Sequence, residues 1–324
     1  MIGGAPVFQE LSSDYNWISF DPRGVKRSGP SLDCSTKEDQ AKFSGVQIPP
    51  SAPLQEHWAT MLSIGEACTN YNADKQARYA GTSAVVQDMM HYTELAAEAK
   101  GQPAKEAKIN YFGVSYGTIL GQTLAAMYPQ RLNRIILDSN AYGVANYDGL
   151  DLNQMDDRDH SWKFFFNFCA KAGKALCPFA GNATNGIEVE ERFRALLDKL
   201  EREPVIRRGQ KMAGIVTRGS FMGFSAQRLY GPKTAGGYVT IAYAAAGLEQ
   251  GSTAMIDGWE ATTPPQLENE SLESLILIRS IDAAGRYPLK TYAEFEAMVS
   301  KLQEVSFYGW RDMAVGNAIL ASGM

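Results

Sequence analysis

The part of the sequence whose residue types best suit covalent chemistry is a serine between two glycines, Gly113-Val114-Ser115-Tyr116-Gly117. A serine hydroxyl at the tip of a very sharp turn can reach a substrate, but such a turn needs unusual backbone angles. Glycines two positions before and after the serine remove Cβ atoms that would collide. The pattern predicts a nucleophile elbow with Ser115 at its tip and the backbone N–H of Tyr116 as a donor to an oxyanion. The alternative is a tight turn without chemistry.

The elements that must position this serine can be predicted from hydrophobic periodicity. Apolar runs predict buried strands over 15–21, 109–114 and 134–138, and helical spacing predicts helices over 82–99 and 122–127. Strands and helices therefore alternate through the first 140 residues. That alternation predicts a parallel sheet with helices on its faces.

A fixed loop is expected after the first strand, over residues 21–30. Its proline, glycine and serine residues are typical of a tight turn. Arg23 and Asp21 are placed to pair, and we expect a structural salt bridge there rather than a substrate contact.

From about residue 141 the pattern becomes mostly helical. Apolar spacing predicts helices over 162–172, 188–200, 238–248, 272–281 and 292–302. We expect these helices to form a cap over the carboxyl edge of the sheet, where pockets form in such folds. The predicted organisation is a partial core over 1–140 and a mostly helical cap over 141–324. The phenylalanines at 164, 165, 166 and 168 are expected to pack in the cap core.

Composition excludes several classes of function. The chain has 324 residues, of which 45% are hydrophobic and 21% charged, as in a globular protein. The net charge is −5 without a long basic run, which argues against a nucleic-acid partner. No apolar stretch approaches the roughly 20 residues of a membrane span, and the first residues lack the features of a signal peptide. We expect no cofactor and no metal; the sequence specifies neither an oligomeric state nor a location.

The four cysteines are Cys34, Cys68, Cys169 and Cys177. No Cys-x2-Cys pair exists, so their spacing does not indicate a zinc site. Cys169 and Cys177 could close a short loop, which would leave Cys34 and Cys68 as a second pair. The alternative is four buried free thiols.

Several motifs together resemble the tripeptidyl aminopeptidase-like and prolyl aminopeptidase-like α/β-hydrolases. The matching segments are Ser19-Phe20-Asp21-Pro22-Arg23-Gly24-Val25, Thr82 with Asp88, the elbow 113–118, the strand 134–138 and the cysteines 169 and 177. The resemblance covers residues 15–180. It implies an α/β-hydrolase-type parallel sheet with a large helical cap, a serine peptidase that cuts peptides from their free amino end, and a secreted ancestry with disulfides.

Two features of that family have no counterpart in this sequence. Family members carry a Gly-Gly-Pro-Gly type loop that supplies a second oxyanion N–H, and Gly3-Gly4 does not match it. They also place an acid and then a histidine in a carboxyl-terminal return to the sheet. We therefore expect the chain to be truncated at both ends of the catalytic domain, with an incomplete sheet.

The histidines limit the choice of a general base. Of three in the sequence, only His160 follows Ser115, as the serine–acid–histidine order of this fold requires. Asp138 could formally be its acid, but we expect His160 to be an exposed residue in an acidic loop that caps a helix. His57 and His91 are expected at the surface.

Three functions remain after these observations. The first is a serine peptidase that releases amino-terminal residues or short peptides, and the second is a catalytically silent truncated hydrolase or binding module. The third is an esterase that uses His160. Because no complete triad is evident, we expect this chain to have little or no hydrolase activity.

Overall fold

The protein is described by a computed structural model, and the described residues are 15–36, 53–73, 76–150, 155–209, 214–229, 231, 236–262, 272–283 and 285–311. The helices and strands in chain order are α1 (Leu54–Asn72), α2 (Thr82–Glu98), β1 (Ile109–Val114), α3 (Tyr116–Met127), β2 (Leu132–Asp138), α4 (Gly143–Asp148), α5 (Arg158–Leu176), α6 (Gly186–Arg202), β3 (Val205–Ile206), β4 (Ile215–Val216), α7 (Arg218–Leu229), α8 (Gly237–Glu249), α9 (Ala254–Thr262), α10 (Leu272–Ala283) and α11 (Tyr292–Val305). No helix within the described residues is both long enough and apolar enough to span a bilayer.

A β–α–β unit formed by β1, α3 and β2 is the centre of the fold. The strands are parallel, with Val114 opposite Asp138, so their carboxyl ends lie at one edge of the sheet. Helix α2 packs on α3 through a buried cluster of Val85, Val86, Met89, Met90, Leu120 and Leu124. The residues from α2 recur at helical spacing, and the predicted helix over 82–99 is confirmed.

The first predicted strand is not formed. Residues 15–21 have no strand pairing in the structure, and Ile18 is 59% exposed. The segment meets the sheet through side chains instead, with the Trp17 ring edge-on to Phe112 at a centroid distance of 6.5 Å. The prediction of a buried strand is wrong because an apolar run becomes a strand only where a neighbour accepts its backbone hydrogen bonds.

Strand β2 is formed as predicted but is not buried as predicted. Ile135 and Ile136 are 37% and 60% exposed. Among the described residues β2 pairs with β1 on one side, and its other edge has no strand beside it. An unpaired edge with exposed β-branched side chains favours association with another chain.

Replacing Ile136 by lysine is expected to reduce concentration-dependent self-association of the purified chain. A charge on an edge strand opposes strand pairing between molecules, while a surface substitution changes the free energy of unfolding by less than about 0.5 kcal/mol. Light scattering over a concentration series measures the effect. The matched control is Val305→Lys, which places the same charge at an exposed apolar residue at the end of α11. Equal association of the parent and Ile136→Lys would contradict this role of the edge.

The predicted cap helices are present as α5, α6, α8, α10 and α11. Trp162 on α5 is at the centre of an aromatic cluster, with ring centroids 6.1 Å from Phe166 and 5.0 Å from Phe193. Phe165 and Phe166 are buried as predicted. Phe164 and Phe168 face outward and are exposed, so the expectation of a core position is wrong for these two. Helical spacing places them on a different face of α5 from the cluster.

Two of the cap helices pack on the amino-terminal half of the chain. On α11, Phe295 stacks on Trp58 of α1 with a centroid distance of 5.0 Å. On α10, Leu277 and Ile278 join a buried cluster with Leu32. The domain boundary at residue 140 remains a prediction, and these contacts cross it.

Both disulfides expected from the sequence are formed. Cys34–Cys68 ties the loop before α1 to that helix, with a Cα–Cα distance of 4.2 Å. Cys169–Cys177, at 5.3 Å, closes a loop around Gly173, where a φ of 68° kinks α5. The alternative of four free thiols is therefore wrong.

Arg23 fixes its loop through a partner that the sequence analysis did not choose. Its Nε and Nη2 donate to the two carboxylate oxygens of Asp88 at 2.6 and 2.7 Å, and its Nη1 donates to the Tyr79 carbonyl at 3.1 Å. The expected structural salt bridge exists, but the expected partner Asp21 is wrong. The Arg23 guanidinium extends away from its own loop and reaches α2. There it makes a bidentate contact with the Asp88 carboxylate, which joins two segments that are distant in sequence.

Candidate active site

Ser115 lies at the junction of a strand and a helix. β1 ends at Val114 and α3 begins at Tyr116, and Ser115 between them has φ 55° and ψ −120°. That conformation is strained for a residue with a side chain. The residue is exposed. The predicted position and backbone geometry of Ser115 are confirmed, whereas its role as a nucleophile remains a prediction.

The two glycines of the elbow matter unequally. A Cβ atom on Gly113 would lie 2.3 Å from the carbonyl oxygen of Gly117, closer than unbonded atoms approach. A Cβ atom on Gly117 would meet the hydroxyl oxygen of Tyr111 at 3.3 Å. The strand and the first turn of α3 therefore come together because Gly113 has no side chain. Sequence reasoning treated the two positions as equivalent.

Hydrogen bonds hold the peptide group between Ser115 and Tyr116. The Ser115 carbonyl accepts from the Thr118 N–H at 2.8 Å and from the Thr118 hydroxyl at 2.7 Å. That hydroxyl accepts in turn from the Ala141 N–H at 2.9 Å, and the Ser115 N–H donates to the Asp138 carbonyl at 3.2 Å. Because a peptide group is planar, holding its carbonyl also restrains the direction of the Tyr116 N–H.

The Tyr116 N–H lies in the first turn of a helix. N–H groups there have no acceptor within their own helix, and the helix dipole gives this end a partial positive charge. A negatively charged oxygen beside Ser115 is therefore stabilised at this end of α3. The geometry is compatible with the oxyanion role predicted for Tyr116.

The hydroxyl groups of two half-buried tyrosines support the elbow. Tyr111 donates to the Gly117 carbonyl at 2.6 Å, and the Tyr116 hydroxyl lies 2.7 Å from the Thr82 hydroxyl. Burial raises the pKa of Tyr111 to about 12 and raises the pKa of Tyr116 as well. Both phenols are therefore neutral at physiological pH and retain a proton to donate.

A buried carboxylate that the sequence analysis missed reaches this network. Asp282, in the last turn of α10, is 5% exposed. Its carboxylate accepts from the Thr82 N–H at 2.7 Å, from the Thr82 hydroxyl at 2.5 Å and from the Asn146 side-chain amide at 3.1 Å. Burial raises the pKa of Asp282, and these hydrogen bonds oppose that rise. One signal in the sequence could have indicated Asp282: it is an acidic residue at the end of a predicted helix, where the helix dipole disfavours a negative charge.

The structure does not bring His160 to Ser115. The His160 Nδ1 lies 3.0 Å from Asp157, and both side chains are mostly exposed. Asp138, the weak candidate for the acid, meets Ser115 through its backbone carbonyl. No hydrogen bond joins Ser115 to a histidine anywhere in the part of the chain described above. The expected exposure of His160 is confirmed. The expected capping loop is wrong, because His160 lies in the first turn of α5 and the Asp157 side chain makes no capping hydrogen bond to that helix.

The other two histidines lie on α1 and α2. His91 is exposed, as predicted. His57 is 3% exposed, so the surface prediction is wrong for it. It begins a buried stripe that continues at helical spacing through Met61, Gly65 and Cys68. No cluster of three or more His, Cys, Asp or Glu side chains suited to a metal ion occurs within the described ranges.

The fold and the elbow together agree with one protein family. A family model for the alpha/beta hydrolase fold matches residues 3–231, which is most of the chain. The chain therefore belongs to the α/β-hydrolase fold family. The predicted fold class, an α/β-hydrolase-type parallel sheet with a helical cap, is confirmed.

Curated relatives match at modest identity. The chain is 27% identical to a serine protease Hip1 of Mycobacterium tuberculosis (strain ATCC 25618 / H37Rv) over 201 residues, which is 60% of this chain and 36% of the relative. It is 27% identical to a tripeptidyl aminopeptidase of Streptomyces lividans over 135 residues, 41% of this chain and 23% of the relative. A putative hydrolase YuaR of Escherichia coli (strain K12) is 25% identical over 203 residues, with coverage of 60% and 35%. The chain thus spans about a third or less of the length of these relatives.

Proposed function

We propose that this chain carries the nucleophile and one oxyanion donor of a serine peptidase that acts near the amino end of peptides. The single observation that carries the proposal is the strained, exposed Ser115 between β1 and the first turn of α3. The peptidase class and the amino-terminal preference are supported by the names of the relatives and by the motifs over residues 15–180. A secreted origin is supported by the two disulfides.

The reaction begins when the Ser115 hydroxyl oxygen attacks the scissile carbonyl carbon and its proton passes to a base. The carbonyl oxygen becomes an oxyanion that accepts from the Tyr116 N–H. Collapse of this intermediate breaks the C–N bond, the amine leaves with a proton, and an ester to Ser115 remains. Water then hydrolyses the ester and regenerates the hydroxyl.

The base has to come from outside the described residues or from solution. A serine hydroxyl without a base is a poor nucleophile at neutral pH, and no described histidine is bonded to Ser115. Removing a triad member from a serine hydrolase leaves only the rate that the oxyanion hole and binding provide. We therefore expect purified protein of this sequence to turn over peptide substrates very slowly.

Added imidazole is expected to make Ser115 reactive, because it can accept the proton that no described side chain accepts. The test incubates the full chain with a fluorophosphonate, with and without imidazole, and measures the mass added. We expect modification of Ser115 that depends on imidazole and is lost in Ser115→Ala. The matched control is Ser139→Ala, since Ser139 is also exposed, has a φ of 53° and follows the neighbouring strand.

The other functions predict different results in the same experiment. Labelling without imidazole that is lost in His160→Ala would establish the esterase with a His160 triad. No Ser115-dependent labelling in either condition would support the catalytically silent hydrolase or binding module instead. If Ser115 reacts, imidazole-assisted cleavage of peptidyl thioesters with a free or an acetylated amino end tests the substrate class. Equal rates for the two would remove the amino-terminal preference.

A further inference from the structure

The carboxyl-terminal end of α10 is seated directly on the start of α2. A Cβ atom on Gly81 would lie 2.8 Å from Ile281 Cγ2 and 3.1 Å from Asp282 Oδ1. The absence of that side chain lets the Asp282 carboxylate reach both the N–H and the hydroxyl of Thr82. A helix of the cap region therefore contacts the residue that supports the elbow.

The direction of the hydrogen bonds between Asp282 and Tyr116 follows from their chemistry. Two N–H groups, from Thr82 and Asn146, face the carboxylate, so its ionised form is the one that matches them. An ionised carboxylate only accepts, and the single Thr82 hydroxyl proton is therefore donated to it. The Thr82 oxygen is left to accept, so the Tyr116 phenol must donate to Thr82.

Tyr116 is therefore held at two ends. Its phenol is anchored on Thr82, and the peptide group that carries its N–H is anchored through the Ser115 carbonyl on Thr118. A shift of the Tyr116 backbone, which the phenol contact opposes, would change the direction of the N–H. An oxyanion donor is effective only when it is directed in advance at the position where the charge develops.

We propose that Asp282, acting through the Thr82 hydroxyl, is a positioning residue that directs the Tyr116 N–H toward the oxyanion. The inference rests on the proposed roles of Ser115 and Tyr116. Among the described hydrogen bonds the Asp282 carboxylate has none to Ser115 and reaches the elbow through Thr82, so its effect on chemistry passes through Thr82 and Tyr116. The proposal adds a residue from α10, far along the chain, to the machinery of the elbow.

A purely structural role for Asp282 would be to cap α2. Its carboxylate accepts the Thr82 N–H at the amino end of that helix, where the capping residue Gly81 has no side chain to do so. The two roles use different atoms of Thr82. Thr82→Val keeps the N–H and the side-chain shape and loses the hydroxyl, whereas Thr82→Ser keeps the hydroxyl and loses a methyl group.

The first measurement needs no reactivity at Ser115. The chain is labelled with ¹⁵N-tyrosine, and the Tyr116 amide resonance is assigned by its loss in Tyr116→Phe. We expect Thr82→Val and Asp282→Asn to shift this resonance, and Thr82→Ser to leave it close to that of the parent. The control is Thr253→Val, because Thr253 is also buried and donates to a carboxylate, that of Asp257, at 2.7 Å. It should not move the Tyr116 resonance.

The second measurement is the imidazole-assisted rate of fluorophosphonate labelling. Loss of an oxyanion donor costs about 10²–10³ in rate, and a misdirected donor should cost less. We expect Thr82→Val to lower the rate by about tenfold and Thr82→Ser by less than about twofold. Tyr116→Phe removes the same hydrogen bond from its other end, so combining it with Thr82→Val should add little further loss.

The outcomes separate the inference from the proposed function. Unchanged resonance and rate in Thr82→Val, or equal losses in Thr82→Val and Thr82→Ser, would overturn the positioning role. If Thr82→Val does not fold, an unchanged Tyr116→Phe rate overturns it instead. If the resonances shift as expected but even the parent fails to label, the positioning role stands and the proposed function fails.

Discussion

Replacing Gly113 by alanine is expected to lower the free energy of unfolding by about 3 kcal/mol and to abolish labelling of Ser115. The new Cβ atom would lie 2.3 Å from the Gly117 carbonyl oxygen, 2.6 Å from its carbon and 2.7 Å from Tyr111 Cε1. Two of these atoms are backbone, so they cannot rotate away and α3 would have to move from β1. Overpacking in a well-packed region costs about 1–3 kcal/mol, and the backbone contact places this substitution at the upper end.

The matched control for Gly113→Ala is Gly223→Ala. Gly223 lies inside α7, and a Cβ atom there would meet nothing within 4 Å. Alanine in a helix interior is favoured over glycine by up to about 1 kcal/mol, so this variant should be slightly more stable. Urea unfolding measures the stability of both variants against the parent. A Gly113→Ala variant with parental stability and labelling would contradict the close approach of β1 and α3.

Removing the Cys34–Cys68 disulfide is expected to destabilise the chain more than removing Cys169–Cys177. The bridges join residues 34 and 8 positions apart. Loop-closure entropy then predicts that the free energy of unfolding falls by about 4 kcal/mol when Cys34 and Cys68 are replaced by alanine, and by about 2.5 kcal/mol when Cys169 and Cys177 are replaced. Cys68, Cys169 and Cys177 are all buried, so both double variants also lose some packing, and the expected difference between them rests on chain entropy.

Urea unfolding of the two double variants, with and without a reductant, measures these losses. Reductant should destabilise the parent and leave a variant lacking both bridges unchanged. The backbone N–H of Cys34 donates to the Glu273 carboxylate at 3.2 Å. Because this contact uses the backbone, it is retained when the Cys34 side chain is replaced. A larger loss for Cys169 and Cys177 would show that native-state packing, rather than chain entropy, dominates.

The elbow could be predicted from sequence because its causes are local. A glycine that removes a collision, a serine and an apolar strand all occur within residues 109–117. The cap helices were predicted for the same reason, since their apolar spacing is internal to each helix. The strand over 15–21 failed because its existence depends on a partner that its own residues do not specify.

The connection from Asp282 to the elbow could not be predicted. Asp282 is 200 positions from Thr82 in the sequence, and no residue near Asp282 indicates which helix it will contact. The predicted partner of Arg23 was wrong for a similar reason: Asp21 is only two positions away in sequence, but the Arg23 side chain extends toward Asp88. Long side chains choose partners in space, and without a fold the nearest charge in sequence is a poor guide.

The range of contacts around Ser115 also implies an order of folding. Hydrogen bonds that shape its turn join residues 3, 6 and 23 positions apart, whereas Asp282 reaches Thr82 across 200 positions. Closing the longer loop costs about 2 kcal/mol more entropy than closing one of 23 residues, and short-range contacts form faster. We therefore expect the strained serine turn to appear early in refolding, with the amide of Tyr116 acquiring its final direction only when α10 docks.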